Sequence, residues 1–299
     1  MKTVNNITQM YRSHLEPVDH LVLNLEMILA VSGMVFLLLN AVTFRYQGIQ
    51  FISFHCLLST PVLLFLILIS RFLENVAPKC QLILKSYCLF ALAIISVLIL
   101  LDGVQLTPFP SIDNFLAHAD SNLKLNERII ENWTITHPLL RQILKFAYHS
   151  VTAQWLLMPL ILSFSRQRQK INLYLVASLL AFLFGSGMYY FFPSLGPATL
   201  PDGQHPVPAS LVEAMVVFPT FHVMLATINI IIWRRACIVY FVPIFLINFT
   251  AVFATLLLGW NYGVHIALGV IMAVVAFGLA KRLLSSEQKA YLTAIPAPP

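Results

Sequence analysis

The sequence predicts an all-α fold, a polytopic bundle of membrane helices, and three observations carry that prediction. The 299 residues are 59% hydrophobic and only 10% charged, whereas soluble domains average roughly 25% charged residues. Mean hydropathy is +0.82. Apolar runs such as 89–101 and 223–232 continue without the alternation of a strand. In lipid the backbone must bond to itself, so such runs become helices.

A helix crosses the hydrocarbon core with about 20 mostly apolar residues. Suitable stretches lie near 21–43, 49–72, 82–101, 142–164, 171–192, 217–233, 238–257 and 263–280, about eight spans. They divide the chain into an N-terminal three-span region (1–102), a hydrophilic loop (103–141), a C-terminal membrane core (142–282) and a tail (283–299). The tail ends Ala294-Ile295-Pro296-Ala297-Pro298-Pro299 and reads as extended. No internal repeat stands out.

Loop charges set the orientation. Arg71 and Lys79, then Arg166, Arg168 and Lys170, then Arg234 and Arg235, then Lys281, Arg282 and Lys289 follow alternate spans, while 193–216 contains no Lys or Arg. These basic stretches and both termini are therefore expected in the cytoplasm, with Arg45 a minor exception. The start lacks a basic segment leading into a short apolar core with a cleavage site, so no removed signal peptide is expected. The expected location is an integral membrane protein of a bacterial inner membrane, with its site on the extracytoplasmic side.

The net charge of +6 comes from basic residues at span ends rather than from a basic-aromatic patch, which argues against a nucleic-acid partner. Cys56, Cys80, Cys88 and Cys237 show no metal-ligand spacing and read as packing or cytoplasmic thiols.

The stretch 103–140 falls on the extracytoplasmic side. After Thr107-Pro108-Phe109-Pro110, the residues Ile112, Phe115, Leu116 and Ala119 recur at near-helical spacing, with Asp113, Asp120, Glu127 and Glu131 on other faces. One or two amphipathic helices at the membrane interface, serving as a lid, are expected. Asn132-Trp133-Thr134 is a glycosylation sequon, meaningful in a eukaryotic secretory pathway.

Two places concentrate polar groups at outer span ends. The first runs from Tyr189-Tyr190-Phe191-Phe192-Pro193-Ser194-Leu195-Gly196-Pro197-Ala198 to Phe218-Pro219-Thr220-Phe221-His222. Thr220 is placed to cap a helix that carries His222 in its first turn, where exposed amides favour an anion and an imidazole can exchange a proton with it. The second is Gly259-Trp260-Asn261-Tyr262-Gly263-Val264-His265-Ile266-Ala267-Leu268-Gly269. Asn261 and His265 are four apart and share a face if helical. His222 and His265, on different spans opening to one side, have the residue types for phosphoryl transfer.

These segments resemble the type 2 phosphatidic acid phosphatase superfamily, in particular its inositolphosphotransferase branch, related to inositol phosphorylceramide synthase. That branch reads F-P-S-x-H and later H-Y-x-x-D-x-x-x-G. Phe218-Pro219-Thr220-Phe221-His222 matches the first motif with Thr for Ser, and Tyr262 and Gly269 match the second in register. Phe192 to Ala198 and Tyr148-His149-Ser150 to Gln154 are also similar to bacterial members. The resemblance covers roughly 100–282 and implies a phosphatase-like core in the C-terminal part, with covalent phosphohistidine chemistry and no metal or other cofactor. The second motif departs from the family. Asn261 stands at the position of the nucleophilic His, and His265 at that of the Asp that orients it.

His222 corresponds to the family's proton donor. Tyr190, Ser194, Thr220, Tyr262 and His149 are candidate substrate-binding residues. Arg141 and Lys145, at the outer end of the fourth span, are either substitutes for a phosphate-gripping basic motif or interface anchors. Three readings stay open. His265 attacks with His222 as acid; His222 attacks with His265 as proton donor; or the site holds a lipid phosphate without turnover. The expected substrate is a membrane lipid phosphate or polyprenyl phosphate, passed to water or to an alcohol. A transporter is disfavoured by the absence of paired broken helices in repeated halves. His14, His20, His118, His137 and His205 read as solvated or interfacial, and His55 as lying in the outer half of a span.

Overall fold

The structure is a computed structural model that describes residues 17–43, 60–73, 78–104, 107–164, 168–194, 196–197, 220–234 and 237–294. Among the described residues all regular elements are helices: α1 Pro17–Thr43, α2 Thr60–Phe72, α3 Pro78–Val104, α4 Asp113–Asn122, α5 Glu127–Ile135, α6 Pro138–Phe164, α7 Arg168–Phe191, α8 Phe221–Trp233, α9 Ile238–Leu257 and α10 Gly263–Ala294. Expectations placed on His14, His55, Cys56, Ala198, His205 and the basic-free stretch 198–216 lie outside the described residues.

Among the described residues five segments are long and apolar enough to cross a membrane: Asp19–Thr43, Ile83–Val104, Gln169–Phe191, Ile238–Leu257 and Gly263–Ser286. Phe221–Trp233 is apolar but shorter. With 27 residues, α6 has the length, yet Arg141, Lys145, His149 and Gln154 dilute its apolar character. Three candidate site residues, Arg141, Lys145 and His149, are among those polar positions. A polytopic membrane helix bundle is what this architecture amounts to.

Cross-helix contacts give the relative directions. Lys85 on α3 pairs with Asp19 on α1. Further along, the Asn40 amide donates to the Gly103 carbonyl at 2.9 Å, so α1 and α3 run parallel. Between these points a β-carbon on Gly33 would lie 2.5 Å from the Ile99 carbonyl oxygen, and one on Gly103 would lie 2.3 Å from the Gly33 oxygen. The two backbones touch where only glycine permits it, the small-residue packing that substitutes for a hydrophobic driving force inside lipid. Tyr190, near the end of α7, donates its hydroxyl to Asn40 Oδ1 at 3.0 Å. The C-terminal ends of α1, α3 and α7 therefore meet.

Gly185 of α7 lies against Phe221 and Met224 of α8, so α8 starts at that same end. A polar core ties α8 to its other neighbours. Asn229 Nδ2 donates to Gln154 Oε1 at 3.2 Å and to Asn248 Oδ1 at 3.3 Å, and Asn248 Nδ2 donates to Gln154 Oε1 at 2.7 Å. This amide triad rivets α6, α8 and α9 together. The starts of α6, α8 and α10 and the end of α9 consequently share one end of the bundle with α4 and α5. Arg234 closes α8 at the other end. Lys281 lies 18 residues along α10, about 27 Å from its start at 1.5 Å per residue. Arg234 and Lys281 thus lie at the end of the bundle opposite the histidine motifs.

The helix carrying His222 starts at Phe221, with Thr220 at the cap position as expected. Two expectations about the elements are corrected. The tail is not extended from 283 onward, since α10 continues to Ala294. On α4, Leu116 is buried as expected, but Asp113 and Asp120 are buried with it while Phe115 is 70% exposed. The two carboxylates accept hydrogen bonds, described below, that compensate their burial.

Candidate functional site

His222 sits in the first turn of α8. The Thr220 side chain accepts from the Val223 N–H at 3.0 Å, which satisfies one of the unpaired amides of the helix start and fixes where the imidazole leaves the backbone. The ring lies flat on Tyr148 of α6, with centroids 3.8 Å apart and planes 17° apart. Its Nε2 is 3.3 Å from the Thr152 hydroxyl oxygen, while Nδ1 is buried with no hydrogen-bond partner. Tyr148 and Thr152 are four apart and face the same way. Trp260, in the turn before α10, meets the Tyr148 ring edge-on at 4.6 Å. Tyr148 is thus the plate between His222 and the second motif.

The second motif is built around the start of α10. The Trp260 and Asn261 N–H groups both donate to the Thr255 carbonyl at 3.1 Å, and the His265 N–H donates to the Tyr262 carbonyl at 3.0 Å. Asn261 precedes the helix, yet its Oδ1 lies 3.3 Å from His265 Nδ1. The shared face expected from their spacing is therefore realised without Asn261 being helical. The Tyr262 ring meets the His265 ring edge-on at 5.2 Å. Asn261, Tyr262 and His265 are all buried.

Gly269 brings the two motifs side by side. A β-carbon there would lie 3.0 Å from Val223 Cγ1 and 3.5 Å from the Thr220 carbonyl oxygen, so α10 rests against the first turn of α8. His265 is one turn nearer the start of α10, about 6 Å along the axis.

The α6 residues divide by height. His149 and Lys145 are exposed, and Arg141 is half-buried. Steps of three and four residues align Arg141, Lys145, His149 and Thr152 on one side of the helix, with Lys145 about 10 Å and Arg141 about 16 Å above Thr152. The cationic side chains lie between His222 and the start of α6.

Two candidates have other partners. The Tyr190 hydroxyl goes to Asn40, and its ring packs on Phe36 at 4.3 Å. Ser194 is buried and donates to Asp113 Oδ1 at 2.5 Å. Both serve the scaffold in this arrangement. Sequence reasoning did not assign Trp260, the amide triad or Asp120 to the site's framework. Tyr148 was visible only as a segment resemblance, and its stacking partner lies 74 positions away. Among the described residues no group of three or more His, Cys, Asp or Glu is arranged to hold a metal.

Residues 114–279, from α4 through most of α10, match the family model of the PAP2 superfamily. That is more than half of the 299 residues. The chain belongs to the PAP2 superfamily. No curated protein and no solved structure matches it. PAP2 superfamily members are generally phosphatases, and membership suggests phosphatase or phosphotransferase activity and contact with lipid phosphates. The matched region contains His222, Asn261 and His265 and leaves α1 to α3 outside it.

Proposed function

We propose that this PAP2 protein is an integral-membrane phosphatase or phosphotransferase that acts on a lipid-linked phosphate at the extracytoplasmic face, with His265 as nucleophile and His222 as proton donor. The observation that carries this reading is the 3.3 Å approach of Asn261 Oδ1 to His265 Nδ1. A histidine nucleophile works when a hydrogen-bond acceptor holds one ring nitrogen and directs the other at phosphorus. Asn261 and His265 supply that relation with the two motif positions exchanged.

In the first step His265 Nε2 attacks phosphorus and the bond to the lipid's leaving oxygen breaks. His222 protonates that oxygen from Nε2, the nitrogen that faces Thr152 at rest. In the second step water or an alcohol gives up a proton to His222 as its oxygen attacks, and the P–N bond breaks. Lys145 and Arg141 line the approach of the anionic headgroup. The resemblance to the inositolphosphotransferase branch favours an alcohol acceptor. The same reading places the basic end of the bundle in the cytoplasm of a bacterial cell, with α2, α6 and α8 completing eight spans.

One observation favours a second reading. His265 and Asn261 are 0% and 1% exposed, whereas His222 is half-buried. A site whose nucleophile stays covered would hold a lipid phosphate against His222 without turnover. Purified protein offered phosphatidic acid or a polyprenyl pyrophosphate, with phosphate release and acid-labile phosphohistidine as readouts, separates the two. Turnover lost in both His222→Ala and His265→Ala supports the enzyme. Saturable lipid binding without release, and activity appearing only in Asn261→His, would establish the silent site.

A further inference from the structure

Helix α4 carries two buried carboxylates, Asp113 and Asp120, seven residues and therefore two turns apart on one face. Asp113 Oδ1 accepts from the Ser194 hydroxyl at 2.5 Å and the Gly196 N–H at 3.2 Å, and Oδ2 accepts from Ser111 at 2.5 Å. Asp120, 0% exposed, accepts from the Gly263 N–H through Oδ2 at 2.5 Å and from the Val264 N–H through Oδ1 at 3.2 Å. One short helix thus holds Ser194 and Gly196 as well as the first two residues of α10.

The second grip falls where the proposed chemistry is most sensitive to geometry. Gly263 and Val264 are two of the three residues between Asn261 and His265, so their peptide groups form the link between the amide and the imidazole. A helix is ordinarily capped from its own chain by Ser, Thr, Asp or Asn. The residue before α10 is Tyr262, which has no such side chain, and the acceptor arrives from 143 positions away. The fit is tight. A β-carbon on residue 263 would lie 2.7 Å from Leu125 Cδ1, the movable end of a side chain, and 3.4 Å from Asp120 Oδ2, so the Asp120 carboxylate lies in contact range of the α10 start. A dehydrated carboxylate between two N–H donors makes charge-assisted bonds, roughly twice as strong as neutral ones. The contact it supports, at 3.3 Å, is long enough that a few tenths of an ångström would break it.

We infer that Asp120 is a positioning residue for the Asn261–His265 pair. It holds the first turn of α10 so that the amide fixes the tautomer and direction of the imidazole, and α4 is a two-point carboxylate clamp rather than a passive cover. The inference rests on the reading of His265 as the reactive imidazole.

The test uses the full-length protein in detergent, with 15N-labelled histidine and glycine and the His265 ring signals assigned by their loss in His265→Ala. In the unsubstituted protein His265 should show one tautomer with its proton on Nδ1, and the Gly263 amide should be shifted downfield and protected from hydrogen exchange. Asp120→Asn should drive the His265 ring into a tautomer mixture, and Asp113→Asn should leave that signal in place. Phosphate release by Asp120→Asn should show kcat down about tenfold to a hundredfold with KM little changed, the scale of a misplaced reacting group. An unchanged His265 signal in Asp120→Asn, an equal change in both variants, or a Gly263 amide exchanging freely in the unsubstituted protein would each overturn the inference. A protein without any phosphate release would count against the proposed function alone, because the ring and amide signals still decide what Asp120 does.

Discussion

The His222 imidazole rests on the Tyr148 phenol ring, 3.8 Å between centroids and 17° from parallel, so the orientation of the candidate proton donor depends on a side chain from another helix. Ring pairs of this kind contribute about 1 kcal/mol beyond simple burial. Tyr148→Phe keeps the plate and should retain turnover within about twofold. Tyr148→Ala removes it and should lower kcat about fivefold or more. Steady-state phosphate release by the two variants checks this; equal losses would mean that the hydroxyl, not the stack, matters.

At the second motif, the amide of Asn261 is a weaker acceptor for an imidazole N–H than a carboxylate would be. Asn261→Asp should therefore raise kcat, by about tenfold if the added charge strengthens that bond by about 1.4 kcal/mol. Asn261→Ala should lower it by a similar factor. Rates measured at saturating lipid phosphate decide the matter, and a drop in both variants would show that the amide is required as a donor instead.

The relative ends of the bundle permit a labelling experiment. Ser121 on α4 is exposed at the end that holds His222 and His265, whereas Cys80 and Cys237 are exposed at the starts of α3 and α9, the opposite end. In intact cells Ser121→Cys, in a Cys56→Ser background, should react with an impermeant maleimide, and Cys80 and Cys237 should react only after permeabilisation. The reverse pattern would invert the proposed orientation.

The amide triad should matter to stability more than to chemistry. Asn248 takes part in bonds with Gln154 and Asn229, and its amide also donates to the Ile244 carbonyl at 2.8 Å. Interhelical side-chain bonds in membranes average about 0.6 kcal/mol, so Asn248→Leu should destabilise by about 1–2 kcal/mol once its stranded partners are counted. Thermal unfolding in detergent measures it. An unchanged midpoint would mean that the bundle repacks around leucine at no cost.

Much of this protein was legible as sequence because its solvent is lipid. Runs such as 83–104 and 263–286 announce themselves by composition, and Arg234 and Lys281 fall at the end away from the histidine motifs. Thr220 could be recognised as a cap because capping is local, three residues from donor to acceptor. Asn261 and His265 could be paired because their spacing is one helical turn. The two aspartates of α4 could not be read correctly. Periodicity gave their helix but assigned them to its polar side, and nothing near them in sequence reveals that Ser194, Gly196, Gly263 and Val264 are waiting for acceptors.

The helical membrane class and the residue types offered at the candidate site were determined by sequence alone, since hydropathy and one-turn spacing act over short stretches of chain. Tertiary structure decided which aromatic ring supports His222, that Tyr190 and Ser194 bind the scaffold, and that Asp120 closes the start of α10. Each of these is a contact between residues separated by 74 or more positions. Such contacts depend on the distance between packed helices, and that distance is set jointly by glycines and side-chain volumes on both partners.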